Sequence, residues 1–107
     1  MAFDIDQTLA GMVRAAAGVL AGEWPGVEAC VKKAFQNEAA ALEAIARKRL
    51  DSELTDEEME EELEFEKDAL EADLLACKVK TKVAAQKAVN AAVGVLSGAI
   101  KGALRIL

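Results

Sequence analysis

The chain has no histidine, no tyrosine, one proline, one tryptophan and two cysteines in 107 residues. Each shortage excludes something. Without histidine there is no ordinary Ser-His-Asp triad, no Cys–His pair and no Glu-x-x-His half of a helical di-metal site. The hydroxyls are Thr8, Ser52, Thr55, Thr81 and Ser97, of which Thr55 reads as a helix cap and Ser52 as a loop residue. Cys30 and Cys77 are isolated, so no disulfide framework is implied. With Phe3, Trp24, Phe35 and Phe65 as the aromatics, the basic segments lack rings for stacking on bases. Asp4 and Asp6 stand where a secretory signal carries cations, and Arg14 interrupts the apolar run. These absences predict a non-enzymatic, cytoplasmic protein with no catalytic residue, cofactor, metal, nucleic acid or small-molecule substrate.

Alanine, glutamate and lysine are abundant instead, which is an all-α composition for a single domain spanning residues 1–107. The net charge of −6 is unevenly placed. Residues 51–73 hold thirteen acids and one base, Lys67, whereas residues 74–107 hold six bases and no acid. The acidic total argues against nucleic acid as the main partner.

Three helices follow from the apolar spacing. Helix 1 is expected over about 4–21, capped by Asp4 or Asp6, with a stripe of Ile5, Leu9, Met12, Val13, Ala16, Val19 and Leu20. Gly22 reads as its stop and Trp24-Pro25-Gly26 as the turn. Helix 2 is expected over about 26–50, with Val27, Cys30, Val31, Ala34, Phe35, Leu42, Ile45, Ala46 and Leu50 inward. Helix 3 opens with the capping box Thr55-Asp56-Glu57-Glu58 and is expected over about 56–105. No Gly or Pro occurs from Asp56 to Val93, and no Gly, Pro, Asn, Asp or Ser lies between Leu74 and Gln86.

If helices 2 and 3 fold back about residues 51–54, Leu42 faces Phe65 and Cys30 faces Cys77. Both thiols are then expected reduced and buried. On the same rule Val13 faces Phe35. Residues 83–107 project past this hairpin with a wide apolar face. Two readings bury it: a continuous helix 3 packed on another chain, or a reversal near 78–82 that gives a monomeric up-down-up-down four-helix bundle. The breaker-free sequence favours the first, an assembly of antiparallel helical hairpins with a long C-terminal helix.

The expected function is therefore self-association, most simply an antiparallel homodimer along helix 3. Glu62, Glu66 and Glu71 would approach Lys78, Lys82 and Lys87 of a second copy. Val89, Val93, Leu96, Ile100 and Leu104 would supply cohesion, with close approach at Gly94 and Gly98. The alternative is a membrane-surface protein using residues 83–107, whose longest charge-free run is Ala88–Ile100. Like-charge pairs such as Glu57/Glu61 and Glu62/Glu66 read as a solvated acidic face. Trp24-Pro25-Gly26 between two helices resembles the turn of the Trp-x-Gly family of small secreted helical hairpins. That family's C-terminal Tyr-based export signal has no counterpart in a chain without Tyr, and membership is not assigned.

Overall fold

The computed structural model describes residues 3–106. Among them are four α-helices and no strand: α1 (Ile5–Leu20), α2 (Trp24–Leu50), α3 (Asp56–Ala76) and α4 (Lys82–Ile106), with a single 3-10 turn at Ala21–Glu23 between the first two. Each helix runs back along its predecessor, giving an up-down-up-down bundle of 40 × 23 × 19 Å. At about 1.5 Å per residue, α2 alone spans its length. The bundle is thus the expected all-α fold, in its four-helix form.

The N-terminal caps of α1 and α3 are those the sequence encodes. The Asp4 carboxylate accepts from the Asp6 and Gln7 amides at 2.9 and 3.2 Å, satisfying donors with no partner inside α1. At α3, Thr55 Oγ accepts from the Glu58 amide at 3.1 Å and Glu58 Oε1 from the Thr55 amide at 2.9 Å. Thr81 caps α4 in the same way, accepting from the Ala84 amide at 3.0 Å.

The C-terminal ends depart from expectation. Helix 3 is not continuous to residue 105: it stops at Ala76 and the chain reverses over 77–81. The Val79 amide donates to Leu74 O at 3.2 Å and the Lys78 amide to Leu75 O at 3.0 Å. This is a Schellman closure, with Lys78 left-handed at φ 76° in the position glycine usually takes. The end of α2 repeats the motif with Ser52 at φ 62°, Glu53 donating to Lys48 O and Ser52 to Arg49 O. Helix α1 ends at Ala21 (φ 47°), not at Gly22, and Trp24 is already the first residue of α2. No glycine among the described residues has positive φ.

The core runs through all four helices. Met12, Ala16 and Leu20 of α1 meet Val31, Phe35 and Leu42 of α2, Met59, Leu63, Leu70 and Leu74 of α3, and Ala88, Val89, Ala92, Leu96 and Ile100 of α4, each at most 3% exposed. Helix α1 packs more extensively on α4 than on α2. Helices α1 and α4 approach closely at Gly11, where a Cβ would lie 3.2 Å from Val95 Cγ1. Phe3 is buried at one end of the bundle, with the Arg47 guanidinium 5.6 Å from its ring centre. At the other end Glu23 Oε1 accepts from the Lys80 amide at 2.7 Å, joining the two turns there.

Candidate self-association surface

The residues expected to hold two chains together serve one chain instead. Val89, Val93, Leu96 and Ile100 are 0–2% exposed inside the bundle, because the reversal at Lys78 lays α4 along α1. Leu104 is half-buried. Gly94 and Gly98 are exposed, and a Cβ on either meets nothing within 4 Å. Helix α4 has the length and composition to cross a membrane, a test that the core helix of a soluble bundle also passes. Its apolar stripe faces α1.

What the bundle leaves uncovered lies on α3. Phe65 is 75% exposed, although Leu42, its expected partner, is fully buried. It sits off the inward stripe Met59-Leu63-Leu70-Leu74, on the side facing solvent. On the same outer side Ala69, Ala72 and Ala76 follow at four-, three- and four-residue spacing, all exposed. This is the 3.5-residue repeat of a helix–helix seam. Glu61, Glu64 and Asp68 flank its first half. Beyond its far end lie Lys78, Lys80 and Lys82, all exposed and with no ion pair among the described residues, beside the 58% exposed Val83.

The acidic half of α3 is only partly compensated within the chain. Arg49 pairs with Asp56 at 2.8 Å across the α2–α3 loop and Lys67 with Glu64 at 3.0 Å. Arg47 pairs with Glu43 of its own helix at 3.5 Å. Below Phe65, between α2 and α3, Glu66 lies beside Glu38. Burial of Glu66, then its hydrogen bond to Glu38 and the Glu38 charge, push its pKa up to about 7. Its Oε2 is inaccessible and has no hydrogen-bond partner among the described residues. Asp73 is raised as well, by burial first and by Glu38 second.

Cys30 and Cys77 are brought together as the hairpin register predicts, but not as buried thiols. They form a disulfide with Cα atoms 5.7 Å apart, fixing the end of α3 to α2. Cys77 is 8% exposed, whereas Cys30 lies on the outer surface of α2. A disulfide persists in an oxidising compartment, which pulls against the cytoplasmic expectation.

A groove of about 430 Å³ lies between α1 and α2 and has Leu9, Val13 and Phe35 in its walls, with Arg14 and Lys32 beside them. Val13 and Phe35 thus share the α1–α2 seam, as the sequence register implies. No group of three potential metal-ligating side chains occurs among the described residues. No protein-family model, curated protein or solved structure matches the chain.

Proposed function

We propose that this protein is a non-enzymatic helical module that associates with a second copy of itself through the outer face of α3. The observation that supports the reading best is Phe65, an exposed aromatic on a helix with acids on one half and lysines past its end. Antiparallel pairing lays Phe65 over Ala76 of the second copy and Ala69 against Ala72. It also brings Glu61 and Glu64 level with the second copy's Cys77–Lys80 turn. Alanines let the backbones approach closely. Burying Phe65 contributes roughly 1.5–3 kcal/mol per side. The ion pairs contribute about 0–1 kcal/mol each and mainly select orientation. Cohesion thus rests on Phe65 and not on the apolar residues of α4.

Light scattering against concentration tests this. A dimer that dissociates on dilution, with Phe65→Ala raising Kd about tenfold or more, is the expected outcome. A compact monomer up to hundreds of micromolar sinks the reading. A parallel arm with anionic vesicles addresses the membrane-surface alternative, for which salt-sensitive binding by the intact chain is the signature.

A further inference from the structure

The turn between α3 and α4 is built from residues that would equally form a helix. Helical hydrogen bonding already continues through Cys77, whose amide donates to Asp73 O at 2.9 Å, and α4 begins at Lys82. Only residues 78–81 separate them, and they contain no Gly, Pro, Asn, Asp or Ser. Lys78 holds the left-handed conformation at φ 76°, which a residue with a Cβ adopts at a cost. From outside the turn, the Glu23 carboxylate holds the Lys80 amide at 2.7 Å. Short, strained connections of this kind favour exchange of the element they carry. The carried element is suited to exchange, since α4 packs mainly on α1, at the other end of the sequence.

We propose that two copies of this protein exchange α4. Residues 78–81 straighten, α3 and α4 become one helix over 56–106, and each α4 takes the place of its counterpart on α1 of the other copy. Lys78 returns to ordinary helical geometry. The amides of residues 78–81 leave the turn and Glu23 for the helical i→i−4 ladder. Val89, Val93, Leu96 and Ile100 remain buried but now bridge chains. Val79, 4% exposed in the turn, is the core residue that must be reseated. The Cys30–Cys77 bond lies on the α2–α3 side of the pivot and stays within one chain throughout. This inference rests on self-association as the protein's role, but not on the α3 face that Phe65 anchors.

The experiment uses the full chain refolded at high protein concentration, with dimer and monomer separated by size exclusion. The double variant Gly11→Cys/Val95→Cys places two thiols where a Gly11 Cβ would lie 3.2 Å from Val95 Cγ1. After oxidation, the dimer fraction should run as a covalent dimer on a non-reducing denaturing gel, and the monomer fraction as an internally linked single chain. A dimer fraction giving only single-chain bands overturns the exchange. So does the absence of any slowly dissociating dimer in the wild-type chain. Two measurements stand if the double variant fails to fold. The wild-type dimer should have a maximum dimension of roughly 76 Å or more by small-angle scattering, at about 1.5 Å per residue, against 40 Å for the single bundle. Lys78→Gly, which removes the strain of the closed turn, should lower the exchanged fraction on the order of tenfold; an unchanged fraction contradicts the proposal. Phe65→Ala should leave the slowly dissociating dimer intact. If it removes that dimer, exchange is overturned while association through α3 stands. If it weakens no association at all, the α3 face fails while exchange stands.

Discussion

A methyl group added at Gly11 would press on Val95 Cγ1 at 3.2 Å, whereas one added at Gly98 would meet nothing. Single residues on α1 and α4 should therefore differ sharply in tolerance. Gly11→Leu is expected to lower stability by about 1–3 kcal/mol through overpacking. Gly98→Leu should be neutral or raise it by up to about 1 kcal/mol, because glycine is a poor helix former; urea denaturation of both variants checks the contrast. Glu66 gives a second expectation, in pH. Its folded pKa, about 7, lies above the ordinary 4.5, so the folded chain holds a proton that the unfolded chain has released. The stabilisation is complete below about 4.5 and is lost as pH rises through 7. Asp73 acts in the same direction. The urea midpoint should fall between pH 5 and pH 8, and Glu66→Gln should flatten that fall and raise the midpoint at pH 8. An unchanged slope in the variant would assign the pH dependence elsewhere.

At the scale of elements, the Cys30–Cys77 bond closes a segment with a sequence separation of 47 residues. Removing it through Cys30→Ser and Cys77→Ser together should cost about 2–4 kcal/mol, mostly by freeing the unfolded chain. Calorimetry on the variant, or on the wild-type chain with and without dithiothreitol, measures this. The starts of α1 and α3 were legible because side chains write them: Asp4 and the Thr55/Glu58 box are visible without a structure, whereas Thr81, which caps α4, was read as lying inside helix 3. The ends were not. Three of them turn on Ala21, Ser52 and Lys78, residues of positive φ that carry a Cβ and that no composition rule marks. The closing bonds at Lys78 and Ser52 run between backbone groups, which every sequence possesses. The reversal at Lys78 depends on α1 being there to receive α4, a tertiary gain that outweighs the local preference for helix. The same cause misplaced the expected association surface. Val89, Val93, Leu96 and Ile100 were correctly read as needing cover, but α1 of the same chain supplies it. Phe65 was expected to face Leu42 across the hairpin, but it lies off the inward stripe Met59-Leu63-Leu70-Leu74 and is left in solvent once α3 is docked.

For the whole molecule, charge is segregated along the sequence, with −12 over residues 51–73 and +6 over 74–107. If association follows the α3 face, it should weaken when ionic strength rises from about 10 mM to 1 M, as the Debye length shrinks from about 30 to 3 Å. Sedimentation equilibrium across that range is the measurement, and a salt-independent constant would remove the electrostatic part of the proposal. The pairing of α1 with α4 also has a consequence for biosynthesis. Helix α1 leaves the ribosome well before α4, the helix with which it has its most extensive interface. Until α4 is made, Met12, Ala16 and Leu20 lack much of their cover, and α2 and α3 cannot replace it. The nascent bundle therefore carries an uncovered apolar face on α1 while α2 and α3 are being made. The bundle is closed only when α4 is delivered, and α1 is exposed to chaperones and to neighbouring chains for as long as that is delayed.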